Sequence, residues 1–545
     1  MNNYRSIHSV EELKTIYNIN ESIVVEKKGD GKADENVKQT TFLKDKLEVE
    51  YADLKEVSNI FKHIIVFTND RDPKNNKTLK NIIDAIDEMK KAKCEIIPEL
   101  HVFVAADVDS KEDESEITIK DEKEELLITE QNNTDTLVIA RLGVQEEYDC
   151  EHIVKLLQDR GFLVLNPVQY AAVACDKYET AVLLQKGGIP QPNFTLMTKD
   201  ILYDEKLFNQ AMKEVYKDWD AKDKDKNEEK DLVIKILDGH GGTGVFMSNG
   251  KKFYAVLQTI FALTPDTQLI IQKKEEADGG DIRVHVLTLN DRQVILAAMK
   301  RVKLGGDFRS NVSLGATAEK VKLTPEQEQI ALKTAKLSKM PWCAVDIMPL
   351  IKGSNPELGD NVVLEINASP GTDGISEVIG ENFVRVMINQ LKDPREFYLQ
   401  DKIAGYHETV SIDWGEGVKK EYLAKLDTGN GTKASCIEVG EYEEKGNKIT
   451  FTIEGKKYTF DIIDHSNTGT GSGDAHHVIK RPIIEIPSLK LGLRQANNVR
   501  MAIVKQRDKS TNVLINRDLL SDLGYVVSSR QTHILTPEME KIKIV

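Results

Sequence analysis

Cysteine is scarce in this chain, and the cysteines present form no recognisable pairing motif. Five cysteines occur among 545 residues, and no two of them have the Cys-x-x-Cys spacing of zinc ribbons and redox sites. An odd number of scattered thiols also argues against a disulfide framework. We therefore expect a reducing compartment and predict that the protein is cytoplasmic.

The chain also lacks an excess of basic residues and a long apolar run. Its 89 acidic residues outnumber 74 basic ones, for a net charge of −15, whereas binding a phosphate backbone needs clustered lysine and arginine. No apolar stretch approaches the roughly 20 residues of a membrane-spanning helix, and the polar N-terminus has no signal-peptide core. The sequence predicts neither a nucleic-acid partner nor a membrane partner.

The length allows several domains, at about 100–200 residues for each. Residues 1–62 form a polar arm, to which no function is assigned. From His63 onward, buried strands at 64–67, 100–105 and 136–142 alternate with helical periodicity at 79–89 and near 153–157, interrupted by an acidic insertion at 110–124. Residues 63–165 are therefore predicted to form an α/β domain.

Oxygen-bearing side chains lie on two apolar strands farther along the chain. Asp346 lies within the strand 344–348, and Glu365 and Asn367 begin the run Glu-Ile-Asn-Ala-Ser-Pro-Gly. Mg²⁺ prefers oxygen ligands and usually sits between one or two carboxylates and substrate phosphates. The two strands therefore predict a magnesium site that also handles phosphates.

Cations precede these strands in an order that suits phosphate binding. Lys177 follows an aspartate, Lys235 lies inside an apolar strand, and residues 239–244 read Gly-His-Gly-Gly-Thr-Gly. Glycines let backbone N–H groups approach a phosphate. The loop matches neither the P-loop nor the dinucleotide-binding fingerprint, so those folds are excluded. Arg283, Arg301 and Arg309 follow on predicted strands and could clamp a transferring phosphoryl group.

Taken together, these motifs resemble the ATP-grasp ligases, and most closely the RimK family of ribosomal-protein glutamate ligases, over about residues 166–391. The resemblance implies an α+β ATP-grasp fold for residues 166–400, with 63–165 as the pre-ATP-grasp domain. The implied cofactors are ATP and two Mg²⁺ ions, with Mn²⁺ as a substitute. The residues implied to bind the nucleotide are Lys177, Lys235, Gly239, Gly241, Gly242, Thr243, Gly244, Gln272, Lys273, Lys274, Glu275 and Asp281.

The resemblance also implies the chemistry. ATP would phosphorylate a carboxylate to an acyl phosphate, and an amine would then form an amide, most simply by adding glutamate to a protein C-terminus. The residues implied to face the phosphate or substrate are Arg283, Arg301, Arg309 and Asn311, and the implied magnesium ligands are Asp346, Glu365 and Asn367. The segment 272–275 lacks the acidic-aromatic pair usual at the adenine hinge, which leaves the nucleotide preference open.

Beyond residue 400 the pattern changes to short alternating strands separated by Gly and Asn turns, which predicts an all-β domain over 401–545. Asp427-Thr428-Gly429 and the later Val513–Leu520 segment resemble the retropepsin-like domain of the "ATP-dependent zinc protease" family. The resemblance implies that Asp427 is catalytic in a dimer, with Thr428 bracing its carboxylate and Gly429 letting the backbones approach. Asn430 and Asn516 depart from that family's motifs.

Three interpretations of the whole chain follow. The first is a ligase whose C-terminal domain trims or processes the product, and the second is a ligase whose inactive C-terminal domain binds substrate and dimerises. The third is a ligase that makes small peptides from metabolites. Fusions of this kind resemble proteins of large tailed phages, which would place the protein in a host cytoplasm with a ribosomal or virion protein as acceptor.

Overall fold

The structure is a computed structural model. It describes residues 47–536 apart from 113–115, 130–131, 142–149, 220–226, 238–243, 290–291, 303–316, 394–401, 416–417, 432, 454, 471–476, 493 and 506–510. The chain forms two compact units. The N-terminal unit comprises residues 1–129, 135–159 and 163–392, and the C-terminal unit comprises 393–545 with 130–134 and 160–162.

The N-terminal unit starts with a parallel α/β layer. In chain order, the first elements of the unit are β1 (Glu50–Tyr51), β2 (His63–Thr68), α1 (Lys77–Ala92), β3 (Glu99–Val104), β4 (Asp109–Glu112), β5 (Glu116–Lys120), β6 (Glu125–Thr129), β7 (Thr136–Arg141), α2 (Cys150–Asp159) and β8 (Leu163–Leu165). Strands β3-β2-β7-β8 form one parallel sheet in that order. The strands and helices predicted for this region are present, because their apolar residues fill both faces of a buried sheet.

The described parts of the acidic insertion at 110–124 join a small antiparallel sheet, which is additional to the three larger sheets of the N-terminal unit. Strands β4, β5 and β6 pair in chain order, with Ile117, Ile119 and Ile128 buried on one face. Asp109, Lys120 and Glu125 lie on the other face, so the apolar positions of this mostly polar segment are buried on one side of the sheet.

A second, antiparallel sheet follows with its helices. The elements are α3 (Val168–Cys175), α4 (Lys177–Lys186), β9 (Phe194–Met197), α5 (Lys199–Tyr203), α6 (Glu205–Val215), β10 (Asp231–Ile236), β11 (Val245–Asn249), α7 (Gly250–Leu263) and β12 (Leu269–Lys273). The strand order is β11-β10-β12-β9. Leu232 and Ile234 of β10 pack with Phe253, Leu257 and Phe261 of α7 in one core.

The third sheet carries the predicted metal strands. Its elements are β13 (Asp281–Thr288), β14 (Gln293–Val302), β15 (Thr317–Lys320), α8 (Pro325–Ser338), β16 (Trp342–Pro349), β17 (Asn361–Asn367), α9 (Asp373–Ile379) and α10 (Phe383–Asn389). The order is β1-β14-β13-β16-β17, with β15 on β14. Residues from the end of the polar arm join this sheet, since β1 pairs with β14 in parallel. Helix α8 starts with a capping box between Thr324 and Gln327.

The C-terminal unit contains a closed β-barrel. Its elements are β18 (Lys402–Gly405), β19 (His407–Asp413), β20 (Lys419–Asp427), β21 (Ser435–Glu438), β22 (Tyr442–Lys445), β23 (Lys448–Ile453), β24 (Lys456–Asp461), β25 (Asp464–Thr470), β26 (His477–Leu491), β27 (Arg494–Val504), β28 (Val513–Asn516), α11 (Arg517–Asp522) and β29 (Tyr525–Ser528). The path β19-β20-β28-β21-β27-β26 closes on itself because β19 also pairs with β26. The prediction of a β domain is confirmed, while its likeness to retropepsins stays a prediction.

All five cysteines are free thiols, in agreement with their spacing. Within the described part of the chain, every helix is either too short or too polar to cross a bilayer.

Candidate functional site

Charged side chains lie in register across four neighbouring strands of the third sheet. Arg301 on β14 faces Asp281 on β13, Arg283 on β13 faces Asp346 on β16, and Asp346 faces Glu365 on β17. Facing residues on neighbouring strands point to the same side of a sheet. Residues predicted separately from the sequence therefore form one row on one face.

Asp346 is the centre of this row and is 1% exposed. Arg283 holds its carboxylate with two bonds, Nε to Oδ1 at 2.7 Å and Nη2 to Oδ2 at 2.6 Å, and Arg301 Nη2 donates to Oδ2 at 2.6 Å. Burial acts to raise the pKa of Asp346, but the two guanidinium groups outweigh it and keep the pKa below its usual range. Asp346 is therefore an ionised carboxylate in a fixed orientation.

Arg301 and Asp281 form a second, buried pair beside it. Arg301 is 6% exposed and Asp281 is 2% exposed, and the guanidinium donates to both carboxylate oxygens through Nε and Nη2. Burial acts to lower the pKa of Arg301, yet Asp346 and Asp281 raise it above its ordinary value. The Arg301 guanidinium thus bridges two carboxylates, an arrangement suited to positioning Asp346.

Glu365 and Asn367 complete the set of oxygen-bearing groups. The Asn367 Nδ2 donates to Asp346 Oδ2 at 3.3 Å and to Glu365 Oε1 at 3.4 Å. The Glu365 side chain is 37% exposed and its Oε1 lies 3.9 Å from Arg283 Nη2. Two carboxylates and an amide on adjacent strands match the donor set of a hard cation such as Mg²⁺. Glu365 and Asn367 are only partly buried whereas Asp346 is buried, so the site opens on their side.

The two predicted lysines lie in the same electrostatic neighbourhood. Lys177 is the first residue of α4, whose N-cap is Asp176, and its Nζ donates to the Leu237 carbonyl at 3.1 Å. Burial lowers the pKa of Lys235 below its ordinary value, an effect that nearby Glu365 opposes and Lys177 strengthens. Two ammonium groups at a partly buried position favour an anionic ligand.

The predicted hinge segment 272–275 continues β12, and several of its side chains have partners. Gln272 is buried, Lys273 Nζ lies 3.2 Å from Glu275 Oε1, and Lys274 Nζ donates to Asp231 Oδ2 at 3.0 Å. Two lysine ammonium groups are thus neutralised by protein carboxylates.

Gly244 ends the predicted glycine loop in a left-handed conformation, with φ at +72°. The left-handed backbone favours glycine, and a Cβ built there would lie 2.9 Å from Ile236 Cδ1, so a larger residue would also displace the Ile236 side chain. The predicted site residues outside the described part of the chain are Gly239, Gly241, Gly242, Thr243, Arg309 and Asn311.

Residues that sequence reasoning missed lie beside the row. Arg141, at the end of β7, donates Nη1 to the Pro370 carbonyl at 2.9 Å, directly after the metal strand. Asn166 holds Trp342 at the start of β16, with Nδ2 to the Trp342 carbonyl at 2.6 Å and the Trp342 N–H to Oδ1 at 3.0 Å. Arg141 could have been recognised in the sequence, because it is a charged residue at the end of an apolar strand. No local sequence pattern indicated Asn166.

The predicted Asp-Thr-Gly site lies in the C-terminal unit, at the end of β20. Asp427 is partly exposed, and its Oδ1 accepts from the Gly429 N–H at 3.1 Å. Its register partner on β28 is Asn516, a buried residue whose Oδ1 accepts from Ser435 Oγ at 2.9 Å and caps α11 through the Leu519 N–H. Asn516 therefore links β28 to β21 and to the start of α11.

Comparison with known proteins assigns the N-terminal unit. Residues 174–391 match the RimK-like ATP-grasp domain family. A probable alpha-L-glutamate ligase of Trichodesmium erythraeum (strain IMS101) is 31% identical over 245 residues, which are 45% of this chain and 72% of that protein. One of Vibrio atlanticus (strain LGP32) is 29% identical over 246 residues, with 45% and 72% covered.

Two solved structures are also similar. The ATP-grasp ligase PsnB, complexed with a minimal precursor, aligns at a TM-score of 0.40 and 16% identity, over 61% of this chain and 98% of that one. The D-cycloserine synthetase DcsG aligns at 0.41 and 14%, over 61% and 100%. Scores this low carry no conclusion.

The similarity in sequence establishes the family of the chain. The region that matches the family contains α4, β10 and every strand of the charged row. Since the relative from Trichodesmium aligns over 72% of its length at 31% identity, the chain belongs to the RimK-like ATP-grasp family of ATP-dependent carboxylate–amine ligases.

Proposed function

We propose that the N-terminal unit adds glutamate to the C-terminal carboxylate of a peptide or protein, through an acyl phosphate. One observation carries the proposal. Asp346 and Glu365 lie beside Arg283 on one sheet face, and Lys235 is electrostatically coupled to Glu365. Such a site can neutralise phosphates next to a substrate carboxylate. The choice of glutamate follows from the relatives described as alpha-L-glutamate ligases.

The first step transfers a phosphoryl group. An acceptor carboxylate oxygen attacks the γ-phosphorus of ATP, the bond to the β-phosphate oxygen breaks, and ADP leaves. Lys235 and Arg283 stabilise the spread of negative charge, because phosphoryl transfer depends mainly on positioning and charge neutralisation. Asp346, Glu365 and Asn367 would hold magnesium, which when bound neutralises phosphate oxygens.

The second step forms the amide. The amine nitrogen of glutamate attacks the acyl carbon, the carbon–oxygen bond to phosphate breaks, and inorganic phosphate leaves as the nitrogen loses a proton. Holding the acyl phosphate and the amine together makes this step effectively unimolecular. Arg283, with its side chain between Asp346 and Glu365, is suited to orient the substrate carboxylate.

Mass spectrometry of C-terminal peptides tests the ligase. Cells expressing the wild-type chain should contain proteins extended by glutamate residues, and a Glu365→Ala, Asn367→Ala double variant should lose them. Glu357→Ala is the matched control, because this acidic residue is exposed and pairs with exposed Lys217. Retention of the extensions in the double variant would refute the proposal. ADP release with free amino acids alone would instead favour a small-peptide ligase.

For the C-terminal unit we propose a retropepsin-like role in which Asp427 trims or processes the product as part of a dimer. Support comes from its place in a partly exposed turn at the end of a barrel strand. Two neighbouring carboxylates share a proton in such sites, so the second aspartate would come from another copy of the chain. The acceptor, a ribosomal or virion protein, belongs to the same proposal.

The test compares Asp427→Ala with Asp518→Ala, a control at another exposed acid of the same unit. Longer glutamate extensions in Asp427→Ala alone would support trimming. Extensions of unchanged length would favour the alternative, in which the barrel binds substrate and dimerises without cleaving it.

A further inference from the structure

Two histidines and a glutamate lie together on the parallel sheet of the N-terminal unit, away from the charged row. His63 begins β2 and faces Glu99 at the start of β3, and His101 follows two residues after Glu99. Residues two apart on a strand point to the same face. The parallel register therefore brings all three side chains to one face, at the N-terminal ends of the two strands.

The ligand atoms of these side chains converge. His63 Nδ1 lies 3.3 Å from His101 Nε2, and Glu99 Oε2 lies 3.9 Å from each of these nitrogens. Two nitrogens bound to one tetrahedral zinc ion at about 2.0–2.1 Å are about 3.3–3.4 Å apart. The histidine pair thus already has the spacing of two ligands, and the Glu99 side chain, 70% exposed, is free to close the remaining distance.

A further carboxylate fixes the orientation of His101. Glu124 Oε1 lies 2.8 Å from His101 Nδ1, and its Oε2 accepts from the Val102 N–H at 3.0 Å. A carboxylate at Nδ1 favours the tautomer with the proton there, so the Nε2 lone pair points toward His63. Metal-binding histidines usually donate the N–H of their second ring nitrogen to such a carboxylate, which sets the tautomer and makes the metal-binding nitrogen more basic.

Glu124 is itself held in place. It lies in the turn between β5 and β6, where its N–H donates to Asp121 Oδ1 at 3.0 Å and the Asp121 N–H donates to its carbonyl at 2.9 Å. Asp121 Oδ2 also accepts from the Val104 N–H on β3 at 3.2 Å. The β4-β5-β6 sheet thereby presents a fixed carboxylate to the back of His101.

We infer that His63, Glu99 and His101 bind a divalent transition-metal ion, with zinc as the best match, supported by Glu124. Imidazole ligands select zinc and its neighbours over magnesium, which prefers oxygen. Three protein ligands leave a fourth position for water, as in zinc sites that remain open. This site is independent of the ligase proposal, since its ligands come from another sheet and are of another type.

Metal titration tests the inference on the full-length chain. Zinc is competed against a chromophoric chelator and cobalt is followed by its visible absorption, both with excess magnesium in the Glu365→Ala, Asn367→Ala background, which removes the oxygen site. We expect one zinc ion per chain and a tetrahedral cobalt spectrum. His63→Ala and His101→Ala should each weaken binding at least 100-fold, and Glu124→Gln roughly 10- to 100-fold.

Two further variants keep the test decisive. Glu99→Gln changes an exposed side chain, so it leaves the fold intact and should weaken binding at least tenfold. His152→Ala, at an exposed position of α2, should bind as the parent does. Absence of stoichiometric zinc binding, or equal binding by the parent and the His63, His101 and Glu99 variants, would overturn the inference and leave a hydrogen bond between two histidines.

Discussion

The buried pair of Arg301 and Asp281 permits a test of how the charged row is stabilised. Arg301→Met keeps most of the side-chain length but removes every donor, so Asp281, at 2% exposure, would lose both of its guanidinium bonds. Removing one partner of a buried ion pair costs about 3–5 kcal/mol. At about 1.36 kcal/mol for each factor of ten, local opening of the sheet should become roughly 150- to 5,000-fold more frequent.

Replacing both partners should reverse most of this loss. In Arg301→Met, Asp281→Leu no charge is left at position 281, and apolar replacement of a buried pair is often neutral or stabilising. Asp346 keeps its two bonds from Arg283. Ligase activity should nevertheless stay at least tenfold below wild type, because Arg301 no longer orients Asp346.

Hydrogen exchange followed by mass spectrometry is the suitable assay. Peptides from β13 and β14 report opening of this sheet, whereas a global melting curve would mix the two units. Lys217→Met, which breaks an exposed pair, is the control and should exchange within threefold of wild type. The reasoning is refuted if the double variant opens as often as Arg301→Met, or if Arg301→Met exchanges like the control.

Three other predictions concern buried polar groups. Burial lowers the pKa of His285 to about 3. Below pH 6.5, the ordinary pKa of histidine, the unfolded chain therefore takes up a proton that the folded chain does not, and the free energy of unfolding decreases as the pH decreases. His285→Leu should remove about 1.4 kcal/mol per pH unit of this dependence, seen between pH 7 and 4.5 as a smaller loss of hydrogen-exchange protection in β13 peptides after correction for intrinsic exchange rates; an unchanged slope would contradict it. Burial raises the pKa of the Cys343 thiol to about 12, so mass spectrometry should find it unlabelled by Ellman's reagent in the native protein at pH 8, while partly exposed Cys94 reacts; equal labelling would refute this. Asn516→Gly leaves the Ser435 hydroxyl without its buried acceptor, and should destabilise the barrel by about 1–3 kcal/mol; exchange in β28 at the wild-type rate would show that the cap is dispensable.

Local patterns predicted most of the secondary structure that surrounds the site. The helix predicted from the apolar spacing at 79–89 is α1, Lys77–Ala92. The three-stranded sheet within the acidic insertion was missed, because its alternation is short and its outer face is charged. The closed barrel could not be foreseen either, since the pairing of β19 with β26 joins segments far apart in the chain.

For the candidate site, too, some features were set by the sequence and others by the tertiary structure. The sequence alone determined which residue types are present and in what order: lysines, glycines, arginines and then two carboxylates with an amide. Tertiary structure decided which groups meet. It paired Arg301 with Asp281 and Asp346, and it brought His63 to His101 across a separation of 38 residues. The physical reason is strand register, since it depends on how whole faces are buried, while each segment by itself specifies only which of its residues share a face.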